Sequence, residues 1–118
     1  MNLDLYSDRA KQAVQSAQSL ALARRHQQFA PEHLLKVLLE ERDGLARNLI
    51  TAAGGDPAKA ETATETALKK RAQVTGGNGQ IYLDGYTARV FASAEEASKK
   101  AGDAFVTTER LLSAIARE

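Results

Sequence analysis

Two histidines, a glycine cluster and a helix pair are the places in this chain where chemistry could be sought. His26 and His33 are its only imidazoles. A metal or acid–base site needs further ligands or a partner carboxylate at matching spacing, and none recurs near either residue. The expected role of both is a polar position between helices. Gly76-Gly77-Asn78-Gly79 has the composition of a phosphate loop. Such a loop needs a preceding strand and a Gly-Lys-Ser/Thr ending, and both are missing, so the stretch reads as a flexible linker. The segments around Gln27–Pro31 could form a helix-turn-helix, but a recognition helix must show Arg, Lys, Asn or Gln to a groove. Residues 31–40 offer one Lys and two Glu. No catalytic, cofactor or metal site is expected in this chain.

The elements that would position any site are helical. Ser7 is a candidate N-cap, and Ala10, Ala13, Val14, Ala17, Leu20 and Ala21 follow at spacings of three and four. That pattern predicts a helix over about 7–25 with one apolar face. Pro31 fits the first position of a second helix carrying Leu34, Leu35, Leu38 and Leu39. Asp43-Gly44 breaks it. A short third helix presents Leu45, Leu49 and Ile50, and Gly54-Gly55 stops it. Asp56-Pro57 opens a fourth, running to about Lys70 and presenting Ala60, Ala63, Ala67 and Leu68. Residues 71–83 have no helical period and form a linker, long enough that part of it should be ordered. Asp84 caps a helix with Tyr86, Val90, Phe91, Ala94 and Ala97 on its face, ended by Gly102. Thr107 caps a last helix with Leu111, Leu112 and Ile115.

The chain nearly repeats itself. At an offset of 77, residues 6–41 fall on 83–118: Ala13-Val14 meets Val90-Phe91, Phe29 meets Val106, Glu32 meets Glu109 and Leu34-Leu35 meets Leu111-Leu112. The capping logic repeats too, with Asp84 at the place of Ser7 and Thr108 at the place of Pro31. A helical unit of this size cannot bury its apolar face alone, so the two copies should pack together. The expected fold is all-α, one domain over 1–118, with repeat one at about 1–70, a linker at about 71–83 and repeat two at about 84–118. Repeat two lacks counterparts of the helices in 42–70 and looks truncated, as in a fragment of a longer chain. Leu111, Leu112 and Ile115 would then lack part of their cover.

Composition narrows the function classes. Sixteen Lys and Arg against fifteen Asp and Glu give a formal net charge of +1. That balance argues against a nucleic-acid partner. With no cysteine, disulfides and thiolate metal sites are excluded. The N-terminal residues form no signal peptide and no apolar run reaches a membrane span, so a cytoplasmic location is expected.

The run MNLDLYSDRAKQAVQSAQSLALARRHQQFAPEHLLKVLL resembles the start of the Clp/Hsp100 AAA+ unfoldases. KKRAQVTGGNGQIYLDGYTARV and KKAGDAFVTTERLLSAI are most similar to the protein-disaggregase branch of that family. The resemblance covers essentially the whole chain. It implies the duplicated Clp N-domain fold, with four helices per complete repeat, and a non-catalytic, substrate-binding role. Unfolded or aggregated client proteins would be engaged and delivered to AAA+ rings that this chain does not contain. ATP and magnesium would belong to those rings, and the full-length protein would be a homohexamer cooperating with the DnaK system. An adaptor-docking N-domain of a Clp protease ATPase is the alternative. The resemblance also implies three polar client-binding positions: Ser7, where the family often has Thr, Asp103 and Glu109. Each is equally readable as an ordinary helix-terminus residue. Phe91, Ala94, Ala97 and Leu111 are the candidate apolar part of that surface, with the core as their competing place.

Overall fold

A computed structural model describes residues 3–41, 44–71, 73 and 82–117. Six helices carry the fold: α1 (Asp8–Ala23), α2 (Pro31–Glu40), α3 (Leu45–Ala52), α4 (Pro57–Lys69), α5 (Gly85–Ala101) and α6 (Thr108–Arg117). The start signals act as expected. Ser7 Oγ accepts the Ala10 N–H, and the Asp56 and Asp84 carboxylates accept the N–H groups of Ala58 and Tyr86. Pro31 and Pro57 open their helices, where a missing N–H is harmless. The glycine cluster at 76–79 and Asp43 lie outside the described residues.

Equivalent backbone features recur in both copies. Arg25 (φ 60°) and Gly102 (φ 74°) stand 77 residues apart and close α1 and α5 in the left-handed conformation. The next residue donates back to the final turn in each case, His26 to the Ala21 carbonyl and Asp103 to the Ser98 carbonyl, both at 2.9 Å. These are Schellman-type closures.

Short extended pieces, not anticipated from the sequence, join the copies. β1 (Gln28–Phe29) pairs in parallel with β2 (Tyr82–Leu83), and Tyr6 forms a parallel bridge to Val106. Under the repeat these are the same contact made twice. The segment before the first helix of each copy pairs with the segment before the second helix of the other. Ser7 donates to the Val106 carbonyl at 2.9 Å, and its counterpart Asp84 donates to the Phe29 carbonyl at 3.0 Å. Such segments hold too few apolar alternations to be read as strands.

The core lies where the copies meet. Tyr6, Phe29 and Phe91 stack edge to face, with centroids 6.1 Å (Tyr6–Phe91) and 6.0 Å (Phe29–Phe91) apart. Val14, Leu34, Leu39, Val90, Val106 and Leu111 close around them. Leu111 is fully buried and Leu112 and Ile115 are half-buried against this core, so the expected gap in their cover is not seen at Leu111. Tyr86 was expected on the buried face of α5 but is 58% exposed, with the Arg89 guanidinium over its ring. Thr87 takes the inward place, its hydroxyl donating to the Phe29 carbonyl at 2.7 Å. Leu45 and Ala63 are likewise exposed, while Ala46 and Thr64 are buried. In each case a single position of the expected face is taken by its neighbour, while Val90, Phe91, Ala94 and Leu68 are buried as expected.

Both described ends of the 71–83 segment are tied to repeat one. Arg71 is bound to Glu32, and Tyr82 donates to the Gln27 carbonyl at 2.8 Å. α4 buries only Thr64 and Leu68 and is held largely by charge. Glu65 receives both Arg24 amino groups from the C-terminal cap of α1 and the Lys36 ammonium from α2, and Glu61 receives Arg47 from α3.

Candidate functional site

The turn between α5 and α6 builds the site. Gly102 reverses the chain at a φ of 74°, which only glycine adopts without cost. Asp103 follows immediately, then Ala104 and Phe105. Val106 pins the far end by its bridge to Tyr6, donating to the Leu5 carbonyl at 2.8 Å. Anchored on both sides, the turn holds Phe105 outward with 53% of its surface exposed.

The three polar positions come together here. Ser7, Asp103 and Glu109 line one open depression of about 420 Å³ with Phe105, Thr107 and Arg110. Ser7 arrives from the start of α1, carried by the Ser7–Val106 hydrogen bond. Asp103 Oδ2 accepts from Arg110 Nε at 3.0 Å. Thr107 caps α6 loosely, accepting the Arg110 N–H at 3.4 Å. Glu109 stands in the first turn of α6, where the helix dipole favours an acid. It is exposed and makes no hydrogen bond or ion pair among the described residues. The helix-terminus reading therefore holds for Ser7 and Glu109, and both remain open to a ligand.

A second depression of about 450 Å³ adjoins the first across Asp103, Ala104 and Phe105. Leu5, 47% exposed, forms its opposite wall with Val106. Glu95 and Lys99 stand at its rim, and Glu95 accepts the Tyr6 hydroxyl at 2.7 Å. Burial and that carboxylate together hold the Tyr6 phenol protonated far above its ordinary range. Ser98 Oγ lies at this depression and is buried with no hydrogen-bond partner.

The apolar candidates need correction. Phe91, Ala94 and Leu111 are 3%, 0% and 0% exposed, and Ala97 is half-buried. Phe91, Ala94 and Leu111 lie on the faces of α5 and α6 that close the core and offer a client no surface, whereas Ala97 keeps part of its surface open. The exposed apolar residues at the depression are Phe105 and Leu5, which helical periodicity passes over. Leu5 ends a short 3-10 turn ahead of α1 and Phe105 lies between α5 and α6, where it could have been noticed as an aromatic outside any apolar repeat.

His26 and His33 are hydrogen bonded to one another, Nδ1 to Nε2 at 2.8 Å, in the interior of repeat one. His33 Nδ1 also accepts the Ala30 N–H at 3.0 Å, the reach-back half of a capping box. Its proton must then sit on Nε2 and point at His26. Burial, followed by the neighbouring His26, pushes His33 down to about 4. Among the described residues no group of three or more His, Cys, Asp or Glu side chains could hold a metal ion.

The comparisons agree with this architecture. Residues 5–118 match the family model described as the Clp repeat (R) N-terminal domain. The chaperone protein ClpB of Mesorhizobium japonicum is 54% identical over 118 residues, which is all of this chain and 14% of that protein. The N-terminal domain of the ClpV1 ATPase from Escherichia coli superposes with a TM-score of 0.86 at 21% identity, over 98% of this chain and 70% of that one. The Hsp104 N-terminal domain from Candida albicans gives 0.85 at 19% identity, over 93% and 72%. These two show the shared fold. This chain belongs to the Clp repeat N-terminal domain family.

Proposed function

We propose that this domain is the non-catalytic client-binding module of an ATP-dependent disaggregase. It engages unfolded or aggregated polypeptides at the turn between α5 and α6 and passes them to AAA+ rings in the rest of the protein. One observation carries the reading: Ser7, Asp103 and Glu109 surround an exposed Phe105, with Leu5 beyond it. Unfolded chains alternate apolar side chains with unsatisfied backbone N–H and C=O groups. Phe105 and Leu5 can cover the former. The Asp103 and Glu109 carboxylates accept N–H groups, and the Ser7 hydroxyl can donate to a carbonyl. Covering both apolar side chains contributes about 2–4 kcal/mol before the cost of ordering the client. Binding should be weak and tolerant of sequence, which suits transient capture. The hexameric assembly, the ATP and magnesium and the DnaK cooperation belong to this same proposal, in parts of the protein beyond the 14% that this chain matches.

An amide NMR titration of the labelled domain with a permanently unfolded, apolar-rich client tests it. Shifts should concentrate at Ser7, Asp103, Phe105 and Glu109, and Phe105→Ala should weaken binding about tenfold, equivalent to about 1.4 kcal/mol. A folded sample that shows no shifts would reject this site and leave docking of a folded adaptor as the better account.

A further inference from the structure

The second depression carries a polar group for which the fold supplies no partner. Ser98 lines it from α5, and the Ser98 hydroxyl is buried without a hydrogen bond. The other buried polar side chains among the described residues all have one. Thr87 donates to the Phe29 carbonyl, Thr64 to the Ala60 carbonyl, and His26 and His33 bond to each other. Thr64 shows the partner that a helical hydroxyl finds most easily, the carbonyl four residues earlier. Ser98 makes no such bond to Ala94.

The repeat shows that packing does not require this hydroxyl. At the offset of 77 the counterpart of Ser98 is Ala21, which is buried as well. Both carbonyls accept the N–H that closes their helix, Ser98 from Asp103 and Ala21 from His26, each at 2.9 Å. An alanine therefore serves helix closure at this position. A buried hydroxyl without a partner costs free energy that an alanine does not. Repeat two bears that cost beside an open depression of about 450 Å³.

The neighbours of Ser98 narrow what it can bind. Around the depression Glu95 accepts from Tyr6, Glu96 pairs with Lys100 and Asp103 accepts from Arg110. The carboxylates are thus engaged. The polar groups left over are the Ser98 hydroxyl and the Lys99 ammonium, which meets no acid among the described residues. An ammonium only donates, and a hydroxyl can donate. Leu5, Ala104, Phe105 and Val106 supply apolar walls. Donors set among apolar walls suit a ligand that presents a carbonyl next to an apolar side chain, as an unfolded backbone does.

We propose that Ser98 is a binding residue of the client site, its hydroxyl donating to a backbone carbonyl of an unfolded segment whose apolar side chain lies between Leu5 and Phe105. The inference rests on reading this face as a client site. It gives the second depression one occupant, an extended polypeptide, and a hydrogen-bond donor for it. The hydroxyl turns about a single bond between staggered positions, which lets it exchange the interior for an arriving carbonyl. Without a client the residue weakens the fold, and the client brings the missing partner.

Isothermal titration of the domain with a leucine- and phenylalanine-rich peptide, run beside urea unfolding, tests the assignment. Ser98→Ala should bind the peptide about fivefold more weakly, while its urea midpoint equals or exceeds that of the wild type. Ser98→Cys fills nearly the same space with a weak donor and should weaken binding to a similar degree. A hydroxyl that served only the fold would instead lower the midpoint when removed. Unchanged affinity in a folded Ser98→Ala domain overturns the proposal, and so does a lowered midpoint. A wild-type domain that binds no peptide rejects the client-site reading, and this proposal with it. Binding that Phe105→Ala weakens and Ser98→Ala leaves intact would keep that reading and remove Ser98 from it.

Discussion

Arg25 is the residue that pays most visibly for the repeat. It holds the left-handed conformation that Gly102 holds in the other copy, and a side chain there costs about 1 kcal/mol. Arg25→Gly should therefore stabilise the domain by about 0.5–1 kcal/mol, and Gly102→Ala should destabilise it by a similar amount. Urea midpoints measure both, and a less stable Arg25→Gly protein would contradict the assignment. His33 sets a pH dependence of its own. Its folded value near 4 lies below the ordinary value near 6.5 because the imidazole is buried beside His26, with Arg71 and Arg24 nearby. The unfolded chain binds the proton more readily, so stability is intact above about pH 6.5 and falls as pH drops toward 4. The loss amounts to about 3 kcal/mol at the acid end. His33→Gln keeps an acceptor for the Ala30 N–H and removes the titration. Melting temperatures followed from pH 7 to 4 should fall less steeply in that variant, and an unchanged slope would place the acid sensitivity elsewhere.

At the scale of elements, α4 is the weakly seated helix. Its apolar contribution is small, and its position depends on Glu65 and Glu61 reaching three other helices. The Arg24 hydrogen bonds, assisted by Lys36, hold the Glu65 carboxyl down to about 2. Glu65→Gln keeps the shape and removes the charge, which should cost about 1–2 kcal/mol. Hydrogen exchange should then accelerate in α4 ahead of α1 and α5, whereas uniform acceleration would mean that α4 is not a separate opening unit. These elements differ in how legible they were. The helix starts at Ser7, Pro31, Asp56 and Asp84 were readable because caps and prolines act locally. The inward-facing residue of α5 was not, because choosing Thr87 over Tyr86 depends on the Phe29 carbonyl, which comes from the other copy. The paired extended segments escaped notice for the same reason. Two residues carry no alternation, and their partners are far away in the chain.

The whole molecule explains what the candidate site kept and what it lost on passing from sequence to structure. Ser7, Asp103 and Glu109 meet because Ser7 is bridged to Val106, the residue between the other two. Phe91, Ala94 and Leu111 take the core, the competing place the sequence offered them, because apolar residues near the site in sequence close the interior between the copies, while Phe105 in the turn stays outside. The reciprocal pairing of Tyr6 with Val106 and Phe29 with Leu83 has a consequence for how the domain comes into being. Neither copy contains the partners for its own extended segments, so neither is a self-sufficient folding unit. During synthesis the N-terminal helices can form early, but Tyr6 and Phe29 stay uncovered until Leu83, Phe91 and then Val106 have left the ribosome. Folding waits for these distant contacts and closes late, in one step, as expected when long loops must be ordered first. A nascent chain stalled before Val106 would display aromatic side chains of the kind its finished domain is proposed to capture.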